Sequence, residues 1–342
     1  MAENEQQMIQ RLLAPLASGL DGAMGLLDDA ALLTPPEGCE FVVTMDTLID
    51  GGHFLFDGTP QCAAQVARKA LAVNVSDLAA KAADPLAYFL SIALPAGHEA
   101  WLEGFVSGLQ TAQLDWHLWL AGGDTVATQG RFTITITAIG TVPNGRMIRR
   151  STARVGDDLY VTGTIGDAVA GLSLLQGSED RKRSWRKRLG EVSTARLLER
   201  SRTPTPRVKL IPALRRYANA ALDISDGLAL DASRLASASG LAAEIDGAKL
   251  PLSEPIRSLI QSADLSLADV VSGGDDYEVL AAVAPQNAHA FEEMAKAAGQ
   301  SVSKIGRLSQ GSGLTFYGVN GETVALKKLG WDHLSPSSSQ AE

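Results

Sequence analysis

Apolar positions recur at helical spacing near the start of the chain (Met8, Leu12, Leu13, Leu16), which predicts a short amphipathic helix over residues 5–18. A Gly- and Asp-containing loop is expected over 19–29, and the β-branched run Phe41–Asp46, FVVTMD, predicts the first strand. Residues 61–83 are Ala-rich with few breakers and predict one long helix. Asp84-Pro85 closes it, because the residue before a proline resists the α region. A second helix is predicted over 98–114. In Phe132–Gly140, FTITITAIG, the residues Phe132, Ile134, Ile136 and Ala138 alternate with Thr133, Thr135 and Thr137. That alternation predicts a half-buried strand of an antiparallel or mixed sheet. A strand at 158–162 and a helix over about 166–175 open the second half.

Gly145 and the basic run Arg146–Arg150 mark a domain boundary near residue 150. The expected organisation is a first domain over 1–150, a second over 151–334 and a disordered polar tail over 335–342. Composition shifts over 177–200, where RKRSWRKR occupies 181–188. One basic run in an acidic chain reads as a solvated helical insertion rather than a nucleic-acid surface.

The 342 residues carry 39 acidic and 30 basic side chains, a net charge of −9, with 45% hydrophobic residues. These values exclude a disordered polyelectrolyte and disfavour nonspecific nucleic-acid binding. No run of ~18 apolar residues predicts a membrane span. MAENEQQMIQRLLAPLASGL lacks a basic leader followed by an apolar core, and Cys39 and Cys62 have no CxxC spacing. A cytoplasmic protein is expected. The acid excess also argues against phosphate ligands unless a cation intervenes.

Familiar catalytic signatures are missing: there is no GxxxxGK[ST], GxGxxG, GxSxG or HExxH. What recurs is aspartate beside breakers or strand ends. The set is Asp28 and Asp29 in LLDDAA, Asp46 in TMDT, Asp77 in NVSD, Asp124 in GGDT, Asp223 and Asp226 in LDISDG, and Asp275 and Asp276 in GGDDYE. Thr44 and Asp46 stand two apart, as do Asp223 and Ser225, so a strand would place each pair on one face. Clustered carboxylate and hydroxyl oxygens suit Mg²⁺. Any one of them alone also fits a turn or cap residue, and Asp77 could simply pair with Lys81. Gly122-Gly123 and Gly273-Gly274 would allow φ > 0 and a backbone cradle for an anion.

These segments, with VVTMDTLIDGGHF, KALAVNVSDLAAKAADP, YVTGTIGD, TPTPRV and the closing GWDHL, run in order over residues 25–334. Together they resemble the thiamine-monophosphate kinases, in the superfamily of aminoimidazole ribonucleotide synthetase and selenophosphate synthetase. The resemblance implies an α/β (α+β) two-domain synthetase-like fold: an N-terminal mixed-sheet domain at a homodimer interface and a C-terminal α/β domain. It implies ATP-dependent phosphorylation of thiamine monophosphate to thiamine diphosphate, assisted by several Mg²⁺ ions. Asp29, Thr44, Met45 (through its carbonyl), Asp46, Asp77, Asp124, Asp223 and Asp226 fall at metal positions. Gly123, Asp124, Arg150 and Ser225 fall at ATP positions, and His53, Asp275 and Trp331 at thiamine-substrate positions. Asp46, Asp124 and Arg150 are the residues expected to matter most for catalysis. His53 also fits a structural histidine, and Trp331 a residue capping the core.

Two positions depart from the family pattern. Leu27 stands where the family has Gly before the Asp pair, and Asp275 where it has Glu. The competing readings are another ATP-dependent synthetase of the superfamily and a noncatalytic metal- or nucleotide-binding protein.

Overall fold

The computed structural model describes residues 5–95 and 99–331. The first residue of the predicted 98–114 helix and the predicted 335–342 tail lie outside the described residues. The chain divides into two compact units, one formed by Met1–Met147 with Arg202–Arg215 and the other by Ile148–Ser201 with Arg216–Glu342. Among the described residues no helix is long and apolar enough to cross a membrane.

In the first unit the opening helix is irregular. The α-helical turn α1 (Glu5–Met8) passes into a π turn at Ile9–Leu13 and a 3-10 turn at Ala14–Ala17. Pro15 lies inside that run and has no N–H to continue an α-helical ladder. The expected loop over 19–29 instead contains a 3-10 turn, Asp21–Leu26, broken where Met24 and Gly25 turn left-handed. Strand β1 (Cys39–Ile49) extends the predicted FVVTMD at both ends. Helix α2 (Pro60–Ala80) starts at Thr59, whose hydroxyl accepts the Cys62 N–H at 3.1 Å.

The helix ends slightly earlier than predicted, with Ala82 at φ 56°. Asp84-Pro85 then opens a strand the sequence reading did not predict, β2 (Asp84–Pro95). Helix α3 (Glu99–Trp116), β3 (Trp119–Thr128) and β4 (Thr133–Pro143) complete the unit. The sheet order is β1-β4-β2-β3, antiparallel except for β2 with β3. Phe132, Ile134, Ile136 and Ala138 are buried, as their alternation predicts.

Helix α2 packs against β1, β4 and α3. Its approach to α3 depends on two glycines. A Cβ on Gly104 would stand 2.6 Å from the Pro60 carbonyl oxygen, and one on Gly108 2.4 Å from that of Ala64. The face of β1 opposite Thr44 and Asp46 is open: Val43 is 59% exposed and Met45 64%. Ile49 and Val126, in one cross-strand row with Thr133 and Ala93, continue that exposed apolar face.

After β4 the chain forms β5 (Asp158–Thr162), α4 (Asp167–Gln176), α5 (Glu179–Arg202), α6 (Ile211–Tyr217), β6 (Ala218–Asp223), α7 (Leu228–Ala238), β7 (Leu241–Asp246), α8 (Glu254–Gln261), α9 (Leu267–Ser272), β8 (Val279–Val283), α10 (Ala288–Ala297), β9 (Val302–Gln310) and β10 (Gly313–Tyr317), all in the second unit except Arg202 of α5 and Ile211–Arg215 of α6. Helices α5 and α6 each run across the division between the units. The mixed sheet has the order β10-β7-β9-β5-β8-β6, in which only β10 with β7 is parallel. The basic run 181–188 lies on α5. It is anchored rather than detached, because Trp185 and Leu197 join the buried core of this unit.

That core also holds three fully buried carboxylates, Asp167, Asp276 and Glu278. Each is compensated. Arg200 Nη2 donates to Glu278 Oε1 at 2.7 Å, and Thr162 Oγ1 donates to Glu278 Oε2 at 2.5 Å. Ser253 and Thr164 hydroxyls donate to Asp167, and the Gly166 N–H donates to Asp276 Oδ2 at 2.9 Å. Burial outweighs the help from Gly166 and Arg200 and pushes the Asp276 carboxyl up to about 7. The folded chain therefore keeps a proton that the unfolded chain loses near its ordinary value of 3.8. Stability from this group is complete below that value and is lost as pH rises through the folded value. Urea unfolding across pH 4–7 should show the wild type losing stability more steeply than Asp276→Asn, by up to ~1.4 kcal/mol per pH unit. Parallel profiles would contradict the assignment.

Candidate active site

In the first unit the expected residues form two groups. Thr44 and Asp46 share the helix-covered face of β1, and Thr44 Oγ1 donates to Asp77 Oδ2 on α2 at 2.5 Å. Near Asp77 on the same helix, Asn74 Oδ1 and Ser76 Oγ are buried with no hydrogen-bond partner among the described residues. Asn74 is otherwise satisfied locally, its Nδ2 donating to the Ala70 carbonyl at 3.0 Å.

The second group lines a cavity of about 360 Å³, walled by Asp28, Asp29, Gly122, Gly123 and Asp124 with apolar residues such as Leu13 and Leu90. Asp124 is aligned with Ser91, Thr135 and Thr47 across the sheet, the row next to that of Asp46 and Ile136. Side chains in successive rows alternate between sheet faces. The register thus separates Asp124 from Asp46.

Gly122 and Gly123 belong to strand β3 rather than to a turn, and neither has φ > 0. Gly123 instead admits the neighbouring strand β2, since a Cβ on it would stand 1.9 Å from the Leu90 carbonyl oxygen. Asp28 Oδ1 accepts the Asp29 N–H at 2.8 Å, while Leu27 is largely exposed. His53 Nδ1 accepts the Ile49 N–H at 3.1 Å, which fixes the ring against the end of β1. Met45 points its side chain to the open face.

In the second unit, β6 ends at Asp223, so Ser225 lies beyond the strand and the expected shared strand face does not exist. The short segment Ile224–Asp226 instead gathers the expected residues through its backbone. The Asp275 N–H donates to the Ser225 carbonyl, the Tyr277 N–H to that of Ile224 and the Trp331 N–H to that of Asp226, each at 2.8 Å. Asp231 Oδ2 accepts the N–H groups of Ser225 at 3.1 Å and Asp226 at 3.0 Å. Arg234 Nη1 donates to Asp226 Oδ2 at 2.5 Å and to Asp231 Oδ1 at 2.9 Å. Burial raises the Asp231 carboxyl to about 6 despite these donors.

Gly273 and Gly274 do not have φ > 0 either; Asp275 (φ 69°) and Tyr277 (φ 49°) do. The glycines serve proximity: a Cβ on Gly274 would stand 2.5 Å from the Ser225 carbonyl oxygen. Two left-handed non-glycine residues in one loop mark backbone held against its local preference. Trp331 is half exposed, and Arg150 lies on the surface with its carbonyl accepting from Ser239 Oγ at 2.9 Å.

Sequence reasoning missed Asp231 and Arg234, although both follow within eight residues of Asp226 in DGLALDASR. Their signal was helical spacing: three residues apart on α7, they share one face. Among the described residues no three His, Cys, Asp or Glu side chains converge on one point. The donor chemistry still fits a hard cation. Asp28, Asp29 and Asp124 line one cavity, and Thr44, Asp77 and the two unpartnered oxygens on the same helix supply only oxygen.

Residues 27–142 match the family described as AIR synthase related protein, N-terminal domain, and residues 154–319 its C-terminal domain. The chain is 42% identical to the thiamine-monophosphate kinase of Caulobacter vibrioides, covering 95% of this chain and 89% of that one. The crystal structure of thiamine-monophosphate kinase from Stenotrophomonas maltophilia K279a is similar with a TM-score of 0.80 and 35% identity, over 95% of this chain and 98% of that one. AaThiL complexed with AMPPCP and TMP is similar with a TM-score of 0.73 and 30% identity, over 91% and 97% of the two chains. A likeness of this extent, matching both domains in order, places the chain in the AIR synthase-related family and, within it, among the thiamine-monophosphate kinases.

Proposed function

We propose that this chain transfers the γ-phosphoryl group of ATP directly to the phosphate of thiamine monophosphate, giving thiamine diphosphate without a phosphoenzyme. The observation that carries this reading is the cavity onto which Asp28, Asp29 and Asp124 open beside Gly122-Gly123, in a chain similar to AaThiL complexed with AMPPCP and TMP. A phosphate acceptor is already largely ionised near neutral pH, its second pKa being about 6. The chain therefore needs no general base to make the nucleophile. Repulsion between two polyanions is the obstacle.

The candidate holders of Mg²⁺ are Asp29, Asp124, Asp46, Thr44, Asp77 and the Met45 carbonyl in the first unit, and Asp223 and Asp226 in the second. When bound there, Mg²⁺ would neutralise phosphate oxygens that the carboxylates alone would repel. Gly123 and Ser225 bring backbone and hydroxyl groups to the nucleotide, and Arg150 offers the guanidinium for charge on the transferred group. Asp275 is held rigidly by its N–H bond to Ser225, which suits a fixed contact to the cationic heterocycle. Trp331 offers a half-exposed indole for stacking. His53 is held at the end of β1 by its Nδ1, which accepts the Ile49 N–H, and so presents a fixed imidazole ring for the substrate.

The open face of the first unit's sheet supports a homodimer. Val43, Met45 and Ile49 on β1 and Val126 on β3 are exposed apolar side chains on one face of the sheet, interleaved with threonines of β4, and a second copy of the same face would bury them.

Incubation with ATP, Mg²⁺ and thiamine monophosphate should yield thiamine diphosphate by chromatography, and Asp124→Asn should lower kcat by at least about a hundredfold with circular dichroism unchanged. No product from folded wild-type protein would sink the reading. Light scattering should give a dimer mass for the wild type and a monomer mass for folded Val43→Glu; a wild-type monomer, or a variant that stays dimeric, would exclude this interface.

A further inference from the structure

We propose that Arg234 is a resident counter-ion for Asp226, which it releases to an incoming divalent cation. The proposal rests on the reading of Asp226 as a ligand of that cation. One guanidinium nitrogen, Nη1, lies 2.5 Å from Asp226 Oδ2 and 2.9 Å from Asp231 Oδ1, so a single positive charge is shared between two carboxylates.

The two acids differ in freedom. Asp231 has 4% of its side chain exposed, and its second oxygen is committed to the Ser225 and Asp226 N–H groups. Asp226 is 20% exposed and Arg234 40% exposed, so the outer contact is the one open to water. The pair with Asp231 can persist while the pair with Asp226 breaks, because one turn of α7 holds Asp231 and Arg234 together. Asp231 must keep a cation nearby, since a buried carboxylate without one is costly. The arginine meets that need and also keeps Asp226 in place until a divalent cation takes over its oxygen.

Charge arithmetic gives the sign. Two carboxylates and one guanidinium sum to −1, and removing the guanidinium takes away the positive charge that stands against Asp226 Oδ2, where the cation must approach. Loss of Arg234 therefore strengthens cation binding at Asp226 while removing no group that the cation itself contacts. This is opposite to the effect of losing a ligand.

The test is calorimetric titration of the full-length chain with Mn²⁺ for wild type, Arg234→Gln, Asp226→Asn and the double variant. Arg234→Gln should bind Mn²⁺ about fivefold more tightly, the size of one partly exposed ion pair, and the gain should vanish in the Asp226→Asn background. Unchanged or weaker binding by folded Arg234→Gln overturns the proposal, as does a gain that survives in the double variant. Arginine side-chain NMR of the unmodified protein provides a second readout should that variant not fold. The Arg234 guanidinium signal, assigned by its loss in Arg234→Lys, should shift as Mg²⁺ saturates, and a signal unmoved at saturation also overturns it. Absence of thiamine monophosphate phosphorylation with these shifts intact would count against the proposed reaction alone. Normal phosphorylation without the shifts would count against Arg234 alone.

Discussion

One buried carboxylate organises the second unit. Asp231 Oδ2 accepts two consecutive backbone N–H groups, from Ser225 and Asp226, and so fixes the path of the chain where β6 gives way to α7. The expected residues Ser225, Asp226, Asp275 and Trp331 hang on that path. The Asp275 loop, the strained Tyr277 and the Trp331 segment each donate an N–H to a carbonyl of residues 224–226. A carboxylate serves here better than a neutral acceptor, because a charge-assisted bond is stronger and can serve two donors at once. Burying it is tolerable only because Arg234 stands beside it.

Charge on the larger scale follows the same logic. A chain with a net charge of −9 is an unlikely host for phosphates taken residue by residue. Its carboxylates are not scattered, however: Asp28, Asp29 and Asp124 share one cavity, and Thr44 and Asp77 share a hydrogen bond. On the proposed reading such a chain would take phosphate only together with a divalent cation, which would make the acid excess a condition for binding rather than an obstacle.

The sequence revealed elements wherever a period was long and unbroken. The Ala-rich run gave α2 to within a few residues, and the Ile/Thr alternation gave β4 and its buried face. It failed where residues had two uses. Asp84-Pro85, whose proline reads as a helix stop, begins β2 after the helix has already ended at Ala80, and Gly122-Gly123, which resemble a turn, are strand residues whose missing side chains admit β2. The proposed site aspartates stand out by their motifs, but their separation does not: register puts Asp124 and Asp46 in adjacent rows, a fact of strand pairing that no local pattern carries. Asp231 and Arg234 were overlooked because their partners are backbone groups and a neighbouring acid, which leave no compositional mark.

The central claim is that Asp231 holds the frame on which the second unit's functional segments are mounted. Amide hydrogen exchange of Asp231→Ala, compared with wild type, tests it most directly. Faster exchange should appear at Ser225 and Asp226, which lose their acceptor, and also at Asp275, Tyr277 and Trp331, whose acceptors lie on the released backbone, while β5 and β8 keep their protection. Faster exchange confined to Ser225 and Asp226, with the other three amides as protected as in wild type, would contradict it.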